Sequence, residues 1–214
     1  MSARRDPRRK KIMKGLIRRH PWAAVVFLLV ALLGGADRFG LFGPDRADRL
    51  AGPTDDLAKY HDRLVTVTKV VDGDTVDLEV ADRRSRRTRV RLWGVDTPEV
   101  AGSLRGAMYF GAEASAFTKH MVLGKRVRVK LAADQKTRDR YHRLLAYLVV
   151  EQTGKMLNEA LLESGHAYAD PRFEHPHKAR FLQMEAEARR SRRGLWKNVA
   201  PEQYPYWKKQ RRPR

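Results

Sequence analysis

Five short runs of this chain read as strands: residues 64–71, 75–80, 88–93 and 126–131 largely alternate apolar with polar side chains, and 144–150 is β-rich and apolar throughout. A period of two sends successive side chains to opposite faces, so the alternating runs read as strands with one buried face, and the apolar run has the length and composition of a buried strand. Helical spacing replaces it at 113–122 (Ala116, Phe117, Met121), 156–164 (Leu157, Ala160, Leu161) and 177–193 (Phe181, Met184, Ala188). Gly165 and Gly194 stand where helix C-terminal caps belong. Five strands with a helix between the third and fourth suit a small closed barrel of OB type; the strand count alone also allows other small barrels and α+β domains.

The chain has 214 residues, enough for one well-cored domain plus appendages. Its net charge of +20 points to a polyanionic partner, either nucleic acid or an anionic membrane surface. Residues 1–20 carry nine Lys or Arg against one Asp, and 21–60 carry four against five. Two basic regions therefore flank a nearly neutral one. With no cysteine, disulfides and thiolate metal sites are excluded.

Residues 21–36 are uncharged and mostly apolar behind the basic lead 1–20, which marks an export or anchoring signal. Sixteen residues fall slightly short of the ~20 that span a bilayer. The reading is an uncleaved transmembrane anchor, with the lead cytoplasmic and the rest on the extracytoplasmic side of the cell membrane. Gly34 and Ala36 keep a cleaved signal peptide and secretion as the alternative. Gly, Pro and alternating Asp and Arg make 37–60 a solvated linker, leaving 61–199 as the domain. Residues 200–214 interleave aromatics with cations, which suits stacking on single strands or a disordered tail beside a bilayer.

Three stretches carry the chemistry: Val71-Asp72-Gly73-Asp74-Thr75-Val76, Arg89 to Glu99, and Asp139 to Tyr147. Asp74 and Asp96 offer hard oxygen ligands to a cation. An EF-hand does not fit, because its bidentate Glu would fall at Arg83. Asp72 and Gly73 also read as a hairpin turn. Arg91 and Arg143 are candidate phosphate clamps, since a guanidinium donates two parallel hydrogen bonds to phosphate; Arg86, Arg87 and Arg89 read as surface charge. Glu99 follows Pro98, which restricts Thr97 to extended backbone and directs the chain out of the strand. The loop 100–110 contains Gly102 and Gly106, reads as mobile, and carries Arg105 as a possible backbone contact. His175 and His177 read as solvated loop residues in preference to a metal pair.

In this order and spacing, together with Gly111 to Lys119, Lys155 to Leu162 and Gly194-Leu195-Trp196, these stretches resemble the staphylococcal nuclease (thermonuclease) family from about Leu64 to Trp196. The resemblance implies an α+β fold: a five-stranded OB-type barrel with about three helices, here preceded by one apolar helix. It implies Ca²⁺ on Asp74, Asp96 and the Thr97 carbonyl, with Glu99 orienting or deprotonating the attacking water. Arg140 and Tyr141 match positions that contact a second phosphate; Tyr141 could equally be a half-buried core aromatic. His142 departs from the family, standing where glycine is usual, and a positive φ there would strain it. Tyr168 is a possible stand-in for a family tyrosine near the nucleotide.

The expectation is a Ca²⁺-dependent, largely sequence-nonspecific nuclease acting on DNA and RNA, with no protein partner implied and a monomeric state. The alternative is a membrane-tethered OB module that binds nucleic acid without cutting it. Clustered carboxylates beside a polyanion favour the enzyme, because they make sense only with a metal present.

Overall fold

The structure, a computed structural model, describes residues 53–103 and 106–210. The basic lead, the apolar segment 21–36, most of the linker, Arg105 and the last four residues lie outside the described residues. Among the described residues no helix is long and apolar enough to cross a membrane.

The expected barrel is present. Strands β1 (Leu64–Val70), β2 (Thr75–Leu78), β3 (Thr88–Leu92), β5 (Arg126–Lys130) and β6 (Leu144–Val150) close in the order β1-β2-β3-β6-β5. All pairs are antiparallel except β3 with β6, which is parallel. Alternation sets the faces: Val76, Leu78, Val90, Leu92, Val127, Val129, Ala146 and Leu148 point inward and are buried. Asp77 and Arg89 form a register pair on the outer face, as do Thr75 and Arg91. A register irregularity in β1 between Val67 and Lys69 bends the strand as closure requires. A short strand β4 (Val95–Asp96) leaves the barrel and pairs with β7 (Tyr168–Ala169).

Three helices occupy the expected places: α2 (Gly111–Val122), α3 (Leu157–Glu163) and α4 (Lys178–Arg190). Gly165, at φ +71°, ends α3 as expected, its N–H and that of His166 returning to the Leu162 and Leu161 carbonyls at 3.0 and 2.7 Å. Gly194 does something else. Arg192 takes the left-handed position after α4, and a Cβ on Gly194 would stand 2.3 Å from the Gly165 carbonyl oxygen. The glycine there permits backbone to meet backbone.

Two boundaries differ from the sequence reading. Residues 53–60 are not linker but helix α1 (Pro53–Tyr60), whose Tyr60 is fully buried in the barrel core. Its hydroxyl bonds the Thr88 hydroxyl at 3.1 Å. Among so many charges, Leu57 and Tyr60 are too few to reveal an amphipathic helix. The tail is likewise folded as far as Gln210, through a 3₁₀ turn at Pro201–Gln203 and helix α5 (Tyr206–Lys209). Its Trp207 is buried with Tyr168, Ala188, Leu195 and Trp196 in a second cluster.

Burial makes α1 part of the fold. Tyr60→Ala should cost about 3–5 kcal/mol, the usual penalty for removing a core aromatic ring. Chemical denaturation of the full chain measures it, and a loss below ~1 kcal/mol would mean that α1 is dispensable.

Candidate active site

Sheet register assembles the three chemical stretches. The β2–β3 pairing sets Thr75 opposite Arg91, which brings the preceding Asp74 beside it, and the Leu92 N–H donates to the Asp74 carbonyl at 2.8 Å. The parallel β3–β6 pairing sets Leu145 beside Arg91, so Arg143 lies two residues earlier, just before the neighbouring strand. Beyond β3 the chain turns at Trp93 and Gly94. There the buried Asn158 of α3 donates to the Trp93 carbonyl at 2.9 Å and accepts from the Leu148 N–H at 3.3 Å. The turn returns Asp96 to Arg91.

Asp74 is 1% exposed, and every contact it makes compensates its charge. One oxygen accepts from the Thr97 N–H at 2.6 Å and the Thr97 hydroxyl at 3.0 Å. The other accepts from the Thr75 hydroxyl at 3.2 Å and meets Arg91 Nη1. Arg91 Nη2 reaches Asp96 Oδ1 at 2.5 Å and the Val95 carbonyl at 3.2 Å. Two carboxylates thus close on one guanidinium. Asp72 joins them: its carboxylate accepts the Asp74 N–H at 3.0 Å, as a turn residue should. Burial pushes its carboxyl pKa up, while Arg91 and Arg143 pull the other way. It therefore stands in the field of both arginines while serving the turn.

Arg143 is oriented by Asp139, which receives its Nε at 2.7 Å and its backbone N–H at 3.0 Å, and also the Tyr141 N–H at 2.9 Å. Tyr141 is 62% exposed, so it is no core aromatic. The guanidinium carbons of Arg140 and Arg143 lie 4.8 and 5.4 Å from its ring centre. His142 has φ +61°, so the left-handed turn survives without its glycine. His142→Gly should raise stability by about 1 kcal/mol by removing the Cβ clash. Chemical denaturation tests this; unchanged or lower stability would show that the loop is not strained.

Glu99 leaves the strand two residues after Thr97 and is half-buried. Its carbonyl accepts the Met108 N–H at 2.9 Å, closing the loop between them. Gly111 at the start of α2 comes so near that a Cβ would stand 2.1 Å from the Glu99 oxygen. Backbone contacts on both sides thus fix the point from which this side chain departs.

Other candidates are not open to solvent. Tyr168 pairs with Asp96 across β4 and β7, but its side chain is buried in the second cluster. His175 is buried, not solvated: it shares a 3.1 Å hydrogen bond with Tyr147, and burial depresses its pKa to about 4. His177 meets Tyr147 edge-on and stacks on Phe181.

One residue at the site was read in the sequence only as part of an aromatic, cationic tail. Trp207, from the folded tail, donates its indole N–H to Asp96 Oδ2 at 2.8 Å, and Arg172 lies 4.9 Å over its ring. Asp96 is thereby held by Arg91 on one oxygen and Trp207 on the other. Trp207→Phe keeps most of the ring and removes the donor; chemical denaturation should show a loss of about 1–3 kcal/mol, the usual worth of a hydrogen bond to a charged group. Unchanged stability would reduce the contact to packing.

The family model described as "Staphylococcal nuclease homologue" matches residues 89–198. A thermonuclease of Staphylococcus hyicus is 32% identical over 145 residues, covering 66% of this chain and 80% of that protein. A thermonuclease of Staphylococcus intermedius is 36% identical over 133 residues, covering 61% and 74%. An uncharacterized endonuclease of Escherichia coli O157:H7 is 33% identical over 150 residues, covering 70% and 84%.

Proposed function

We propose that this chain, which belongs to the staphylococcal nuclease family, is a Ca²⁺-dependent nuclease that hydrolyses phosphodiester bonds in DNA and RNA with little regard to sequence. The observation that carries this is the convergence of Asp74 and Asp96 on the Arg91 guanidinium, with Arg143 one strand away.

The donor set fits a hard cation. Asp74 and Asp96 supply carboxylate oxygens that already close around one positive group, and the Thr97 carbonyl would join them. Among the described residues no three Asp, Glu, His or Cys side chains form a ligand group, so water would have to supply the remaining ligands of a bound cation. When bound, Ca²⁺ neutralises charge on the phosphate and polarises it. Arg91 and Arg143 hold phosphate oxygens through their planar forks and offset the charge that grows during attack. Arg143 exchanges Asp139 for the phosphate. Glu99 orients the attacking water and takes its proton. Backbone contacts dominate recognition, since no element presents a base-reading helix. The domain works on the extracytoplasmic side, tethered by residues 21–36 behind their basic lead.

Single-stranded DNA incubated with the full chain should be degraded in Ca²⁺ and left intact in excess chelator. Glu99→Gln should lower cleavage by about 10²–10⁴-fold, the usual contribution of a general base, while retaining binding. Binding without metal-dependent cleavage by the parent chain would instead favour the tethered binding module.

A further inference from the structure

A pocket of about 430 Å³ opens beside Arg143. One wall is Tyr141 with His142, and the other is the tip of the β2–β3 hairpin. The tip is a tight turn: Asp82 and Ser85 exchange backbone hydrogen bonds of 2.9 and 2.8 Å, with Arg83 at φ +51°. Turns of this kind favour Asn, Asp or Gly. Here residues 83–87 contain four arginines, all exposed. So many like charges on one tip repel each other, and an anionic partner would relieve the repulsion.

The acidic side chains in this pocket are already matched. Asp77 takes Arg89 through two hydrogen bonds of 2.8 and 3.0 Å, and Asp82 takes Arg138 at 2.7 and 3.1 Å. Arg83, Arg84 and Arg87 form no ion pair among the described residues. Arg138 also fixes the walls to each other. Besides Asp82 it grips Asp56 of α1 at 2.7 and 2.8 Å and donates to the His142 carbonyl at 3.0 Å. Burial opposes its charge, but the hydrogen bonds to Asp56 and Asp82 prevail and raise its pKa. The hairpin tip and the Arg143 loop are thus parts of one rigid frame.

We infer that the hairpin arginines Arg83, Arg84 and Arg87 bind further phosphates of a nucleic-acid strand whose neighbouring nucleotide stacks on Tyr141, so that the chain acts on strands of several nucleotides. This rests on the nuclease reading and extends it past the two phosphates expected at Arg91, Arg143, Arg140 and Tyr141. Exposed aromatic faces flanked by guanidiniums hold bases through stacking, and arginines hold the backbone by charge. By sequence alone Arg86, Arg87 and Arg89 read as surface charge; the hairpin register with β3 and the Arg138 frame bring this tip beside the loop that carries Arg143.

The test compares the full chain with its Arg83→Gln/Arg84→Gln/Arg87→Gln form. Binding is measured in chelator to a labelled thymidylate strand of about twelve nucleotides, within the span such grooves cover, and to a thymidine dinucleotide. Affinity for the strand should fall at least tenfold. The slope of log affinity against log salt should drop by about 2, since single strands give ~0.7 per phosphate contact. Dinucleotide affinity should change less than twofold. The corresponding Arg→Lys triple, which keeps the charge, should restore most of the slope. An unchanged strand affinity and slope would overturn the proposal, as would equal loss on both lengths while the lysine form also fails. Weakened binding to phosphatidylserine vesicles with unaltered strand binding would overturn it in favour of a lipid surface. Because these measurements need no metal, a parent chain that binds the strand yet never cuts it in Ca²⁺ would remove the nuclease reading and leave the pocket standing.

Discussion

Asp74 buries a carboxylate almost completely at the start of β2, and a charge in that position must be met on every side. Its partners come from different parts of the chain: Thr75 from β2, Arg91 from β3, and the Thr97 N–H and hydroxyl from beyond β4. Helix α2 joins through the Thr118 hydroxyl, which donates to the adjoining Gly73 carbonyl at 2.6 Å. One buried charge therefore fixes where the strand ends meet. Barrel closure brings them near, and the Asp74 hydrogen bonds set their alignment.

The same arrangement suits the proposed chemistry. Arg91 now compensates Asp74 and Asp96, yet a guanidinium lodged between carboxylates is also a group that a harder, doubly charged cation can replace as their partner. Its fork then becomes available to phosphate. Arg143 stands in a similar position with Asp139. Both arginines are pre-oriented by acids, which limits the side-chain entropy lost when phosphate binds.

What the sequence revealed follows the range of the interactions involved. Alternation located four of the barrel strands, and a continuous β-rich apolar run located β6 at both of its ends, because a strand's burial is written in neighbouring residues. The left-handed turn at His142 was anticipated only through the family resemblance, in which glycine is usual at that position. Interactions that depend on long-range placement were not legible. Tyr60 enters the core among charges that hide its helix, and Trp207 reaches Asp96 across 111 positions of sequence. His175 looked like a solvated loop residue, whereas the turn at Gly94 leaves it buried against Trp93 and Tyr147. Arg192 took the cap expected of Gly194, whose neighbour Gly165 decides its role through a contact no local motif encodes.

Segments outside the barrel control the geometry of the candidate site more than their sequence suggests. Asp56 of α1 and Asp82 of the hairpin share Arg138, and Arg138 holds the His142 carbonyl, so the loop that carries Arg143 is braced from two directions. At the other end, Lys208 of α5 pairs with the nearly buried Glu185 of α4 at 2.7 Å, which seats Trp207 against Asp96. The barrel supplies the register, and these braces restrict how far Asp96 and Arg143 can move from it. A site whose chemistry depends on positions correct to a fraction of an ångström needs both, because strand register alone leaves the ends of long side chains free.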